Sequence, residues 1–125
     1  MSGEVRRARG AAARASGRQA EVWAALWLMA KGYRILGFRL KTPQAEIDLL
    51  AWRRGVLAVV EVKRRMTLAT ALEAVSGDQR ERLRRAGALL AARRPRLQAA
   101  AVRLDLIALA PGRLPRHSPD AWHGA

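Results

Sequence analysis

Two runs of strand-forming residues, AEIDLLAW over 45–52 and GVLAVVEVKRR over 55–65, are joined through Arg53, Arg54 and Gly55, and this junction constrains the fold more than any other feature of the chain. Short apolar, β-branched runs on either side of a glycine-containing turn predict a β-hairpin. If Arg54 and Gly55 form a two-residue turn, Arg53 pairs with Val56, and continuing that register sets Asp48 opposite Glu61. Strict alternation puts Glu46, Asp48, Leu50 and Trp52 on one face of the first strand and Ile47, Leu49 and Ala51 on the other. On the second strand Leu57, Val59, Glu61, Lys63 and Arg65 share a face opposite Val56, Ala58, Val60 and Val62.

The hairpin carries an internal conflict. Opposed carboxylates among Ile, Leu, Val and Ala are costly to desolvate and repel one another. Lys63, two positions along on the face of Glu61, supplies one positive charge and cannot satisfy both acids. A divalent hard cation resolves the conflict: Mg²⁺ or Mn²⁺ takes oxygen ligands, which Asp48, Glu61 and a neighbouring backbone carbonyl such as that of Val62 offer. The competing explanation has both acids at a solvent-facing edge, paired with arginines. Leu50 beside Asp48 and Val59 beside Glu61 weigh against it, because they make that face partly apolar.

Around the hairpin, residues 18–31 read as a helix that places Ala20, Trp23, Ala24, Trp27, Met29 and Ala30 largely on one side, with Gly32 as its C-terminal stop. YRILGFRLK follows as a strand with Gly37 marking a bulge or a close backbone approach, and Thr42 and Pro43 break it. Ser76 caps a second long helix whose buried stripe is Leu83, Ala86, Leu90 and Ala91, and Pro95 ends it. Residues 99–110 form the last strong strand, and residues 111–125 read as a C-terminal tail that loosely packs Trp122. The order αβββαβ predicts an α/β fold with a mixed central sheet flanked by helices, the returning strand lying parallel to one already in place.

With 125 residues, 50% of them apolar and 27% charged, the chain suits one folded domain. Residues 1–16 read as a flexible basic arm and residues 17–110 as the domain; the arginine-rich start superficially resembles an organellar transit peptide, and the arm is the simpler account. The longest apolar runs fall well short of the roughly 18 residues that span a bilayer, so no membrane partner is expected. Absence of cysteine excludes disulfides, thiol nucleophiles and Cys-based zinc, and two histidines are too few for a histidine-rich metal site. Lys and Arg number 24 against 10 acids, a net charge of +14, and all but Lys31, Lys41 and Lys63 of those cations are arginine. Such a surplus suits a polyanion, nucleic acid first, because a guanidinium grips phosphate bidentately; a GC-rich genome also yields Ala- and Arg-heavy chains.

Further candidates surround the acid pair. Glu21 interrupts an apolar helix and could add a carboxylate, although glutamate is equally ordinary on a solvent-facing helix side. Lys63 would orient or deprotonate the attacking water or neutralise charge on a phosphate, or else snorkel as a surface lysine. Gln79, in the first turn of the second long helix, could position water or phosphate beside a helix N-terminus. Arg64, Arg65, Arg80, Arg82 and Arg84 are the candidate nucleic-acid contacts. Asp105 follows Arg103 closely enough to make a buried ion pair rather than a metal ligand, and Trp52 could stack on a base, although buried packing is the commoner use of an aromatic.

The spacing from Asp48 to Glu61-Val62-Lys63 resembles the D…(D/E)-x-K signature of the PD-(D/E)XK, or restriction-endonuclease-like, nuclease superfamily. More specifically, GRQAEVWAALWL, AEIDLLAW, LAVVEVKRR, ALEAV and VRLDLIAL resemble the YraN-like family of small bacterial proteins over roughly residues 17–110. That resemblance implies a single αβββαβ restriction-endonuclease-like domain, a divalent metal site and a cytoplasmic location, and by motif position it makes Glu21, Asp48, Glu61 and Lys63 the nuclease site. The chain departs from the family at Ala45, where glycine is usual, and at Gln79, where lysine is usual; neither removes a carboxylate. The function expected is metal-dependent hydrolysis of DNA, at branched or flapped structures. The alternatives are a non-catalytic nucleic-acid-binding module with this fold, and a scaffold for a DNA-processing protein partner. Many nucleases act as dimers, so a homodimer is also open.

Overall fold

The computed structural model describes residues 18–123. The basic arm expected at residues 1–16 lies outside the described residues, as do residues 124 and 125. Helix α1 is described over residues 18–30 and stops where predicted, at Gly32, whose φ of 91° belongs to the left-handed region. Strands β1 (Arg34–Lys41), β2 (Glu46–Arg53) and β3 (Val56–Arg64) form an antiparallel meander. Two helices follow, α2 (Leu68–Glu73) and α3 (Gly77–Arg93), then β4 (Ala101–Leu109), which runs parallel to β3, and β5 (Arg116–Ser118), antiparallel to β4. The five strands lie in sequence order in one mixed sheet.

Local sequence explains most of these boundaries. Arg54 and Gly55 have φ of 49° and 80°, the left-handed pair that a tight hairpin turn requires, and Arg53 pairs with Val56 as predicted. The β1–β2 register shifts between Ile35 and Gly37, the irregularity that Gly37 signals. Ser76 Oγ accepts the Gln79 N–H at 3.1 Å, capping α3.

Helices cover both sheet faces. On one side Ala24, Ala25 and Leu28 of α1 pack with Tyr33, Leu49, Ala51, Ala58, Val60 and Ile107. On the other, Leu83, Ala86 and Ala91 of α3 pack on Ile47, Leu50, Leu57, Val59 and Leu104. Gly87 permits this close approach: a methyl group there would lie 2.5 Å from Val59 Cγ2 and 2.9 Å from Val102 Cγ1.

The αβββαβ core is present as expected, and three other expectations are corrected. To that core is added α2, which intervenes before α3 because Thr67 caps a short turn of helix whose Ala71 is buried with Leu106 and Ala108. The tail is not simply a loop, since Arg116–Ser118 adds β5 to the exposed edge of β4, and Trp122 Nε1 donates to Leu72 O at 3.3 Å. Helix α1 buries Ala20, Ala24, Ala25 and Leu28, while Trp23 and Met29 are 63% and 56% exposed; three alanines on the buried face let the helix lie close on the sheet around Leu28. Finally, Ile47 joins Leu50 under α3 while Leu49 faces α1, so the alternation of β2 breaks at Asp48. No helix among the described residues is long and apolar enough to cross a membrane.

Candidate active site

Strands β2 and β3 bring Asp48 and Glu61 together, but not as a simple opposed pair. The regular pairing runs from Arg53 with Val56 to Leu49 with Val60 and ends one step before Asp48. There the Asp48 carboxylate replaces the ladder, its Oδ2 accepting the Val62 N–H at 2.9 Å. This bond holds the carboxyl over β3, beside Glu61.

Glu61 is 4% exposed and its Oε2 is buried with no hydrogen-bond partner. Its Oε1 lies 3.7 Å from Lys63 Nζ, an ion pair too long to be a good hydrogen bond. Burial first, and the neighbouring Asp48 second, push the Glu61 carboxyl up to about 8, with Lys63 opposing the shift only in part. Buried acidic pairs of this kind concentrate at functional sites.

The remaining sequence candidates divide. Glu21 sits close enough to Asp48 and Glu46 to feel their charge, yet its Oε2 is bonded to Arg39 Nε at 2.7 Å. Burial raises the Glu21 carboxyl, against the bond and charge of Arg39. Arg39 has a φ of 49°, so a left-handed step in β1 aims this arginine, and nothing in the sequence pattern marks it. Gln79 is in the first turn of α3, half-buried, and no hydrogen bond joins its side chain to Asp48 or Glu61. Arg64 and Arg65 follow Lys63 at the end of β3 and are exposed. On α3, Arg82 pairs with Asp78 at 3.3 Å, Arg84 is half-buried, and Arg80 donates to Val75 O at 3.0 Å while its guanidinium lies 5.5 Å from the Trp122 ring centre.

The oxygen-only donor set of Asp48 and Glu61, one of whose oxygens is buried without a partner, suits a hard divalent cation that keeps several waters. Three His, Cys, Asp or Glu side chains do not converge anywhere among the described residues, so two carboxylates are what those residues supply.

On the α1 side of the sheet, Asp105 behaves as the sequence suggests. It is fully buried, and Arg103 grips it through Nε and Nη2, both at 2.7 Å. His117 Nε2 at 2.9 Å and the Asp120 N–H at 3.1 Å complete the set, and Arg103 Nη2 also donates to Tyr33 OH at 2.6 Å. Burial alone would raise the Asp105 carboxyl; the bonds from His117, Arg103 and Asp120 outweigh it and hold the group below its ordinary range. Sequence reasoning missed His117 and Asp120, because a three-residue strand carries no readable periodicity.

A five-stranded mixed sheet between helices, with Asp48 and the Glu61-x-Lys63 run on adjacent strands, defines an α/β protein of the restriction-endonuclease-like architecture. Residues 20–109 match the family described as uncharacterised protein family UPF0102, and the chain belongs to that family, the YraN-like one its motifs resemble. A UPF0102 protein of Caulobacter sp. (strain K31) is 74% identical over 117 residues, covering 94% of this chain and 84% of that protein. One from Caulobacter vibrioides (strain NA1000 / CB15N) is 69% identical over 125 residues, the whole of both chains. One from Paramagnetospirillum magneticum (strain ATCC 700264 / AMB-1) is 50% identical over 115 residues, 89% of each.

Proposed function

We propose that this protein is a Mg²⁺- or Mn²⁺-dependent endonuclease that hydrolyses phosphodiester bonds in DNA, at branched or flapped structures rather than at a defined sequence. The observation that carries this reading is the buried, partnerless oxygen of Glu61 held against Asp48. Asp48, Glu61 and the Val62 carbonyl would hold the ion, which when bound supplies positive charge to the phosphoryl group in the transition state. The chain's own residues do the rest. Lys63, tethered to Glu61 Oε1, holds an ammonium where it can orient the attacking water or neutralise charge on the phosphate. Because Glu61 keeps its proton to about pH 8 when the pair is alone, the acidic pair must release a proton to accept a cation. The capped N-terminus of α3 favours an anion near Gln79, and Arg64, Arg65, Arg82 and Arg84 supply contacts to the backbone.

A non-catalytic nucleic-acid-binding module is the second reading, and it draws on the convergence of only two carboxylates among the described residues. Calorimetric titration with Mn²⁺ and cleavage of branched, flapped and single-stranded DNA separate the two. A nuclease shows a saturable Mn²⁺ site that disappears in Asp48→Ala, and metal-dependent cleavage lost in both Glu61→Ala and Lys63→Ala. Cleavage that survives both substitutions comes from a contaminant, and absence of the Mn²⁺ site overturns the proposal.

A further inference from the structure

At the hairpin-turn end of the sheet, four residues along β2 from Asp48 and therefore roughly 13 Å from it, lies a cleft unrelated to the acid pair. Its volume is about 610 Å³, within the range of small-molecule sites. Buried Leu97 and half-buried Trp52 and Leu36, with Pro95, supply its apolar lining, and the exposed Arg34, Arg93, Arg94 and Arg96 supply its cations. Three parts of the chain build it. Trp52 and Arg34 face each other across β2 and β1, Arg93 and Arg94 end α3, and Arg96 sits in the single turn of 3₁₀ helix over Pro95–Leu97. A second hollow of about 290 Å³ shares Arg34 and Trp52 and adds Lys31, Arg53 and Arg54, so the cationic surface continues around the tryptophan.

Among the described residues, no acid lines either hollow. Among the described residues, the guanidinium groups of Arg34, Arg93, Arg94 and Arg96 form no ion pair. The negative end of the α3 dipole accounts for a cation in its last turn, such as Arg93, but not for Arg34, which arrives from β1. Like charges gathered without a counter-charge repel, and such a gathering persists most naturally where a polyanion supplies the missing charge.

We propose that this cleft binds an unpaired nucleotide of a single-stranded nucleic-acid segment, its base laid on Trp52 and its flanking phosphates held by the arginines. An aromatic side chain in a cationic lining is the combination that single-strand binding uses, since every base offers a face to stack while the backbone offers charge. A paired base is already stacked and gains nothing from Trp52, so the cleft favours the unpaired arm of a flap or junction over a continuous duplex. The inference rests on the nucleic-acid partner of the function proposed above but on none of the chemistry of Asp48 and Glu61.

The test uses the full chain carrying Glu61→Gln, so that cleavage does not interfere. Anisotropy is measured with a labelled oligothymidylate of about 12 nucleotides and with a blunt duplex of equal length. Trp52→Ala, and separately Arg94→Ala with Arg96→Ala, should each weaken single-strand binding about tenfold with little effect on the duplex, and Trp52→Ala should abolish most of the fluorescence quenching by the oligonucleotide. The arginine pair lies on the surface and keeps the test decisive should Trp52→Ala disturb folding. Unchanged affinity, or equal losses for single strand and duplex, overturns the nucleotide pocket. Displacement of the oligonucleotide by a glutamate-rich peptide at similar concentration also overturns it, in favour of an acidic protein segment. Cleavage by the unsubstituted chain is scored separately: single-strand preference without metal-dependent cleavage removes the nuclease reading alone, and cleavage without that preference removes the pocket alone.

Discussion

Glu61 stores instability that the surrounding fold offsets. Its ordinary value is 4.5 and its folded value about 8, so below 4.5 both folded and unfolded chains hold the proton and the group contributes nothing. Between those values the unfolded chain releases the proton and the folded chain keeps it, so stability falls as pH rises and levels off above about 8. At roughly 1.4 kcal/mol per unit, the penalty amounts to a few kcal/mol. Glu61→Gln should therefore melt higher than the parent chain at pH 8 and close to it at pH 5; thermal unfolding at both pH values checks this, and a gap that does not change with pH contradicts it. Mn²⁺ should close the gap at pH 8 by raising the parent melting temperature and not that of Glu61→Gln, with about 2.7 kcal/mol expected at a hundredfold excess over the dissociation constant. Asp105 has the opposite sign. Its depressed value makes its contribution fully present above the ordinary carboxyl value of 3.8 and lost as pH falls below it. Asp105→Asn leaves Arg103 without its bidentate partner and should cost about 3–5 kcal/mol at neutral pH, read from urea unfolding. Both acids stand out in the sequence as charges inside apolar runs. What differs is their company, and Arg103 two residues away was the only partner of Asp105 that spacing could reveal.

At the scale of elements, the hairpin was legible because its signals agree. Arg54-Gly55 demands a left-handed turn, and the turn fixes the register from Arg53 with Val56 onward. The register expectation failed only where a side chain overrode the backbone: Asp48 captures the Val62 N–H and ends the ladder one pair early. Periodicity also misled in α1. The spacing places Trp23 and Met29 in the buried stripe, but the sheet accepts Ala20, Ala24, Ala25 and Leu28 and leaves Trp23 and Met29 outside. Close approach also governs α3, where Gly87 faces Val59 and Val102. Gly87→Ala gains up to about 1 kcal/mol of helix propensity but forces helix and sheet apart, with overpacking costs of about 1–3 kcal/mol. Since the clashing atoms belong to stiff β-branched side chains, a net loss of stability is expected. A Gly87→Ala variant more stable than the parent in urea would show that α3 can shift freely.

For the whole molecule, a net charge of +14 makes association with nucleic acid an ionic-strength effect. Duplex binding should weaken at least tenfold between about 50 and 200 mM salt, because each neutralised phosphate adds about 0.9 to the slope of log affinity against log salt. Removing Arg94 and Arg96 should lower the slope for single strands while leaving that for the duplex nearly intact. Anisotropy titrations at several salt concentrations test both statements, and affinity for DNA that does not vary with salt would mean that the arginine surplus serves something other than phosphate.

The chain's linear order determines its four long strands, its turn and its long capped helix, because those depend on neighbours a few positions apart and on backbone preferences that each residue carries with it. It also marks Asp48 and Glu61 as misplaced, since a carboxylate inside a strand of Leu and Val is anomalous wherever the strand finally sits. The tertiary structure alone decided which acid is satisfied and which is not. Asp105 meets His117 and the Asp120 N–H only because β5 folds back onto β4, whereas Glu61 Oε2 is enclosed by elements that bring it no donor. The cleft around Trp52 belongs to the same category, for its arginines come from the start of β1, the end of α3 and the turn after it, and only packing makes them neighbours.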